Sequence, residues 1–335
     1  MRVLAGDVGG THARIAAVDV GRDSVSVVRH HEYRSRDFPA LAPIVADFIG
    51  SGSDRFERAV FGVACPVTDG DCVTPNLPWK VSAHAIAQAT GIAATSVIND
   101  LQAMAHGVTR MRAEDLVALQ ATPAAANGPI VLVGAGTGLG QAFLVKHDAR
   151  YEILASEGGH ATFAPRTDRE WRLRSALAGE YGHVSYERVV SGPGIESIYR
   201  FLVSSSAAPE NATVTAEVRR EGAAAVTRHT LDGSDPTCSE AIDIFVGAYG
   251  SHAGNLALHV LATGGVYLVG GIAKAILPRL RDGIFIEAFR DKGRMGELLR
   301  KIPVSVVVNE HIGLIGAAVA ACDTYDTGAA APNDH

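Results

Sequence analysis

Two glycine turns, each set between two apolar runs, constrain this chain more than any other feature. The first, LAGDVGGTHARIAAVDV at residues 4–20, places Asp7, Gly9 and Gly10 between runs that read as strands. The second, IVLVGAGTGLGQAFLV at residues 130–145, has the same order of strand, glycine turn and strand. Glycine admits backbone conformations and close approaches that a Cβ blocks, so such a turn can form an N–H concavity for an anion. Taken alone, Gly9-Gly10 favours an ordinary hairpin turn. The shared plan suggests two related halves facing one another, although the similarity is weak as a repeat.

A chain of 335 residues suffices for two domains of ordinary size or one large α/β unit. Its 47% hydrophobic and 20% charged residues are those of a globular protein, and a formal charge of −6 argues against a non-specific nucleic-acid binder. Asp7 interrupts any apolar leader, and no run approaches the ~18 apolar residues of a membrane span, so the expectation is a soluble, cytoplasmic protein. Cys65, Cys72, Cys238 and Cys322 form no C-x-x-C pair, which predicts reduced thiols rather than a zinc knuckle or a disulfide framework.

Short apolar runs over the first 65 residues predict a sheet that opens as a meander, crossed by a helix over 39–48. SAHAIAQATG predicts a helix with Ser82 as N-cap and Gly91 as stop. TSVINDLQAMAHGV predicts a strand running into a helix, with Asn99 and Asp100 at the strand's C-terminal end, the edge where open α/β sheets bind ligands. From Thr167 the pattern is helical up to the strand VYLVGG; VSVVV and GLIGAAVAAC close the fold, and the tail at 323–335 is expected to fray.

Three nucleotide-binding designs use glycine turns after strands. A P-loop needs Gly-Lys, a dipeptide this chain lacks. A Rossmann turn needs G-x-G-x-x-G opening a helix, but counting from Gly134 or Gly136 the last position falls on Leu139 or Gln141, and strand follows. The third design is a pair of opposed hairpin turns clasping a nucleoside triphosphate. In it Asp7 meets magnesium directly or through water, and Gly9, Gly10, Thr11, Gly136, Thr137 and Gly138 meet phosphate oxygens.

GDVGGTHAR, PNLPWKVS, INDLQAMAHG, GAGTGLGQAFLV, EGGHATFAP, HVSYERVVSGPGIESIYR and GGVYLVGGIA resemble, in this order, the signature segments of the bacterial ATP-dependent glucokinases. The resemblance spans residues 3 to about 320 and implies an α/β, two-domain actin-like ATPase (ribonuclease H-like) fold with a ligand cleft between the domains. The expected division is residues 1–110 plus about 302–322 in a small domain and 111–301 in a large one. The implied reaction moves the γ-phosphate of ATP, with Mg2+, to the 6-hydroxyl of glucose. The alternatives are a kinase for another hexose, a sugar-binding regulator that turns over poorly, and a chaperone-like ATPase.

Locally, Asn99-Asp100 divides between a helix N-cap pair and a general base with its neighbour. The resemblance makes Asp100 the base and Asn99 a sugar ligand. Glu157 and His160 in EGGH could be half of a di-metal motif, which would need helices and a second copy that the sequence lacks. A carboxylate and an imidazole also suit sugar hydroxyls, and both match sugar-binding positions of the family. Glu187 in SYERV reads locally as a solvated first-turn glutamate after a Ser185 cap, whereas the resemblance makes it a sugar contact. The resemblance also gives Asn76 a sugar-side role, leaves Trp79 structural, and places Gly270 and Gly271 of LVGGIA at the adenosine, where a simple strand-to-helix turn is the plain alternative. His12 departs from the family's usual asparagine. The glycines of GAYGSHAGN allow close helix packing, with a homodimer interface as the expectation.

Overall fold

The computed structural model describes residues 1–22, 24–74, 77–148, 150–205 and 211–326. It divides into two units: one of residues 1–115 with the segment from 309 onward, the other of residues 116–308.

The first unit opens with the expected meander: β1 (Arg2–Val8), β2 (His12–Val20) and β3 (Val25–Arg34) pair antiparallel. Helix α1 (Leu41–Gly50) then carries the chain to β4 (Arg58–Val63), parallel to β1. A small hairpin of β5 (Asp71–Val73) and β6 (Lys80–Ser82) leads into α2 (Ala83–Thr90). This helix begins on the Ser82 hydroxyl, which accepts the Ala85 N–H, and stops at Gly91 in the left-handed region at φ 74°. Strand β7 (Thr95–Asn99) joins parallel to β4 and runs directly into α3 (Asp100–Val108), completing the order β3-β2-β1-β4-β7.

Strand periodicity divides β1 between two cores. Leu4 and Val8 pack with α1 and α2, while Val3 and Ala5 belong to a second cluster on the opposite face. Trp79 is fully buried in the first cluster, where its indole N–H donates to the Phe38 carbonyl at 3.1 Å.

Cys65 and Cys72 are joined by a disulfide, which corrects the expectation of four reduced thiols. The chain leaving β4 turns back through paired Thr68 and Asp71, bringing the two Cα atoms to 6.2 Å. A seven-residue separation matches no short cysteine motif, so only the turn reveals the pair. Cys238 and Cys322 take no part in this disulfide.

The second unit holds β8 (Leu116–Gln120), β9 (Ile130–Ala135), β10 (Leu139–His147) and β11 (Arg150–Ser156). Five helices follow: α4 (Asp168–Tyr181), α5 (Gly192–Ser205), α6 (Ala212–Glu221), α7 (Ala223–Leu231) and the long α8 (Pro236–Val260). Then come β12 (Gly265–Val269), α9 (Gly271–Ala275), α10 (Leu277–Arg281), α11 (Ile284–Arg290), α12 (Gly296–Leu299) and β13 (Val304–Val307). The sheet order is β11-β10-β9-β12-β13-β8, with β9, β10 and β11 antiparallel and β9, β12 and β13 parallel. Both sheets therefore repeat one plan, an antiparallel meander extended by two parallel strands. The weak repeat in the two glycine turns marks this plan.

The α8 glycines allow close packing, but within the chain. A Cβ at Gly250 would stand 2.2 Å from the Phe285 carbonyl oxygen, and one at Gly254 would stand 2.4 Å from that of Phe289. These glycines seat α8 on α11 within the chain.

Helix α13 (Ile312–Asp326) returns to the first unit. Its Leu314, Ala317, Ala318 and Ala321 fill the second cluster against Val3 and Ala5. Residues 323–326 continue this helix, and 327–335 lie outside the described residues. Among the described residues no helix is long and apolar enough to cross a membrane.

Candidate active site

Because β1, β4 and β7 run parallel, their C-terminal ends share one edge of the first sheet. Asp7 stands in register with Gly62, and Val63 with Asn99. Two strand spacings separate β1 from β7 by about 10 Å.

Asp7 precedes the last residue of β1, with its carboxylate largely shielded and 3.9 Å from the Arg14 guanidinium. Glu32 holds that guanidinium in turn, at 2.6 Å. Gly313, near the start of α13, faces the Asp7 carboxylate so closely that a Cβ would stand 2.8 Å from its Cγ. The turn beyond closes by the Gly9 N–H donating to the His12 carbonyl at 2.9 Å, with Gly10 and an exposed Thr11 at its tip. Ser35 braces it, its N–H donating to the Thr11 carbonyl and its hydroxyl to that of Gly9. His12 is exposed, with Nε2 3.9 Å from Glu32.

At the end of β7 the two local readings of Asn99-Asp100 fall on different residues. Asn99 is the N-cap: its Oδ1 accepts the N–H groups of Leu101 at 3.0 Å and Gln102 at 3.4 Å, and Gln102 Oε1 accepts the Asn99 N–H. Its amide also donates to the Cys65 carbonyl at 3.2 Å. Asp100 is thereby released from capping and starts the helix half-buried, with Oδ1 accepting the Leu101 N–H at 2.8 Å. Burial pushes its carboxyl above the ordinary carboxylate range, against the opposing pull of that N–H. A carboxylate raised in this way holds a proton more readily than an ordinary one, as a general base requires. Asn76 lies outside the described residues.

In the second unit, Glu157, His160 and Glu187 converge. The segment after β11 makes a short 3-10 turn over Gly158–His160, then bonds to the segment before α5. Tyr186 N–H donates to the Ala161 carbonyl at 2.9 Å, and Glu187 N–H to that of Gly159 at 3.0 Å. His160 thus stands between two carboxylates, with Nε2 3.7 Å from Glu157 and Nδ1 3.8 Å from Glu187. Glu187 lies in a turn rather than in a helix, which removes its reading as a first-turn glutamate. Acceptors on both sides of an imidazole suit a polyhydroxylated ligand. Among the described residues, no three His, Cys, Asp or Glu side chains are placed to hold a metal ion.

Glu187 also reaches the second glycine turn. Its Oε2 accepts the Leu139 N–H at 3.0 Å and stands where a Cβ on Gly138 would come within 2.6 Å. That turn closes by the Gly136 N–H donating to the Gly138 carbonyl, leaving Thr137 exposed. The Gly136 carbonyl accepts the N–H of Gly192, whose other neighbours are Ala223 and Ile272. Both residues line an open pocket of about 700 Å3 with Thr227, Arg228, Gly271 and Ala275. Gly270 stands at φ 93°, with the Ala135 carbonyl where a side chain would begin, so only glycine fits this turn. An apolar slot beside a glycine turn suits a nucleotide base.

Local sequence did not single out Gly313 or Gln141, which stands behind the 157–160 turn. The first lies in an alanine-rich helix, and the second reads as one polar residue in a strand. The only available signals were the glycine at a helix start and a glutamine within an otherwise apolar run.

The glucokinase family profile matches residues 4–324. A glucokinase of Synechocystis is 42% identical over 347 aligned residues, covering 96% of this chain and 98% of its own. Among solved structures, a glucokinase from an Antarctic psychrotroph superposes with a TM-score of 0.85 at 31% identity, covering 96% of this chain and 99% of the other. A glucokinase of Balamuthia mandrillaris in complex with glucose shares the fold, with a TM-score of 0.76 at 18% identity over 96% of this chain and 93% of its own.

Proposed function

The chain belongs to the glucokinase family and is an ATP-dependent hexose kinase, and from that premise we propose that Asp100 takes the proton of the glucose 6-hydroxyl as its oxygen attacks the γ-phosphate. The O6–P bond forms, the bond from the γ-phosphorus to the β–γ bridging oxygen breaks, ADP leaves with the electron pair, and Asp100 keeps the proton. The observation that carries this reading is the capping box on Asn99. It leaves the neighbouring carboxylate at a strand end, raised by burial, with its Oδ1 accepting the Leu101 N–H.

Glu157, His160 and Glu187 hold the sugar hydroxyls, two acceptors flanking an imidazole. Asn99, its amide oxygen committed to the helix, contributes through its amide nitrogen. Gly9, Gly10, Thr11, Gly136, Thr137 and Gly138 supply donors to phosphate oxygens, Gly271 lines the base pocket, and Gly270 shapes the turn that leads into it. Asp7 fits magnesium, an ion that commonly takes one or two protein carboxylates and completes its shell with phosphates and water. When bound, the ion neutralises charge on the phosphate oxygens. A cytoplasmic location, read from the absence of a long apolar run, and a homodimer remain part of the proposal; sedimentation velocity tests the second.

Coupled ADP release with ATP, Mg2+ and a panel of hexoses tests the reading. Glucose-dependent turnover is expected. ADP release indifferent to sugar, or glucose binding without turnover, would overturn it. Gly313→Ala adds a measurement at the other strand end: a methyl group in van der Waals conflict with the Asp7 carboxylate is expected to lower kcat by about 10²-fold, the scale of a 1 Å misplacement. Raised Mg2+ is expected to restore part of it.

A further inference from the structure

Behind the 157–160 turn, a chain of polar side chains runs through the core of the second unit. Gln141 lies on β10, 3% exposed, and its amide faces two ways. Its Oε1 is 3.0 Å from Nε2 of His252 on α8, and its Nε2 donates to the Ser156 hydroxyl at 2.9 Å. That hydroxyl oxygen also accepts the Gly158 N–H at 3.1 Å. An amide oxygen only accepts, so His252 carries its proton on Nε2. Its Nδ1 is buried without a hydrogen-bond partner among the described residues. Burial pushes the imidazole down to about 3, so it stays neutral at any working pH.

The same helix reaches the second arm of the carboxylate set. The His252 ring packs against Tyr186 with centroids 4.2 Å apart and the planes tilted by 37°, and Asn255 donates to the Tyr186 hydroxyl at 2.9 Å. Tyr186 immediately precedes Glu187, so α8 holds both Glu187 and, through Gln141 and Ser156, the turn bearing Glu157 and His160.

We infer that Gln141 is a positioning residue for the sugar: with His252 and Ser156 it sets the Gly158 N–H, and hence the spacing of Glu157 and His160 from Glu187. Burying an amide and an imidazole in an apolar core costs free energy unless each finds partners. A leucine would fill the same space at no such cost. What the amide adds is a fixed point for a turn that otherwise stands open to solvent, with Glu157 82% exposed and His160 62% exposed. Glycine at 158 is part of the device, since a Cβ there would stand 2.0 Å from Gln141 Nε2.

The identification of the ligand as glucose rests on the proposed function; the placement of the turn does not, and the test separates them. The variants are Gln141→Leu, Ser156→Ala and the pair together, with Ser156→Ala as the one least demanding of the fold. In the unliganded protein, hydrogen exchange over residues 156–161 is expected to speed up at least tenfold in each variant while β10 stays protected. In steady state, each single variant is expected to raise the KM for glucose about tenfold, leaving the KM for ATP and kcat within twofold. The double variant is expected to match the worse single one, because both cut the same chain. Unchanged exchange at the turn, or KM values for both substrates rising together with a general loss of protection, would overturn the inference. Faster exchange in a parent protein that does not phosphorylate glucose would leave the positioning standing and refute the sugar reading.

Discussion

Asp100→Asn is expected to lower kcat by about 10²- to 10⁴-fold, the contribution of a positioned general base, with the KM for glucose changed only a few-fold. Asparagine keeps an oxygen for the Leu101 N–H and leaves the Asn99 capping box intact, so the loss falls on proton transfer alone. The pH dependence follows from burial. With the folded pKa of Asp100 above its ordinary value, the base becomes competent only as pH rises through that raised value, and the acid limb of kcat/KM lies above the usual carboxylate range. In the asparagine variant that limb disappears from the residual rate.

Stability carries the opposite sign. A carboxyl whose pKa is raised by folding contributes stability below its unfolded pKa and loses it as pH rises through the folded value. Wherever Asp100 is ionised, its burial therefore works against the fold, and Asp100→Asn is expected to have a Tm equal to or above that of the parent. A variant that loses both activity and Tm would show that Asp100 serves the fold and would remove it as the base.

The second large effect is expected at Glu187, which serves two neighbours at once. Glu187→Gln keeps an acceptor for the Leu139 N–H and loses the charge beside His160. The KM for glucose is expected to rise about 10- to 10²-fold, corresponding to about 1.5–3 kcal/mol for a hydrogen bond to a charged group, while the KM for ATP stays within a few-fold. Glu187→Ala removes both contacts and leaves the Leu139 N–H without its acceptor, so the KM for ATP is expected to rise as well. Steady-state kinetics on the two variants separate the roles. Equal effects on both substrates in Glu187→Gln would show that the residue shapes the phosphate turn and does not hold sugar.

Much of the chemistry was legible because it is local. Ser82 and Gly91 bound α2 as their side chains require, and Asn99-Asp100 falls where a strand becomes a helix. The turns at Gly9-Gly10 and Gly136–Gly138 need glycines within a few residues of one another. The ordered signature segments identified the family, and the resemblance, rather than any pattern in the residues, assigned roles to Glu157, His160 and Glu187.

Other features depend on segments that meet only after folding. Which of Asn99 and Asp100 caps α3 was settled by Gln102 returning to the Asn99 N–H and by the Cys65 carbonyl beside its amide. The Cys65–Cys72 pair needed the turn between β4 and β5, and the α8 glycines needed the carbonyls of α11 to show that they are spent inside the chain. The Gln141 chain joins residues as far as 111 apart. A sequence thus determined by itself the turns, caps and strand ends, whose causes lie within one turn of chain. Tertiary structure decided which polar groups are buried together, because the cost of burying each depends on a partner that only the packed fold supplies.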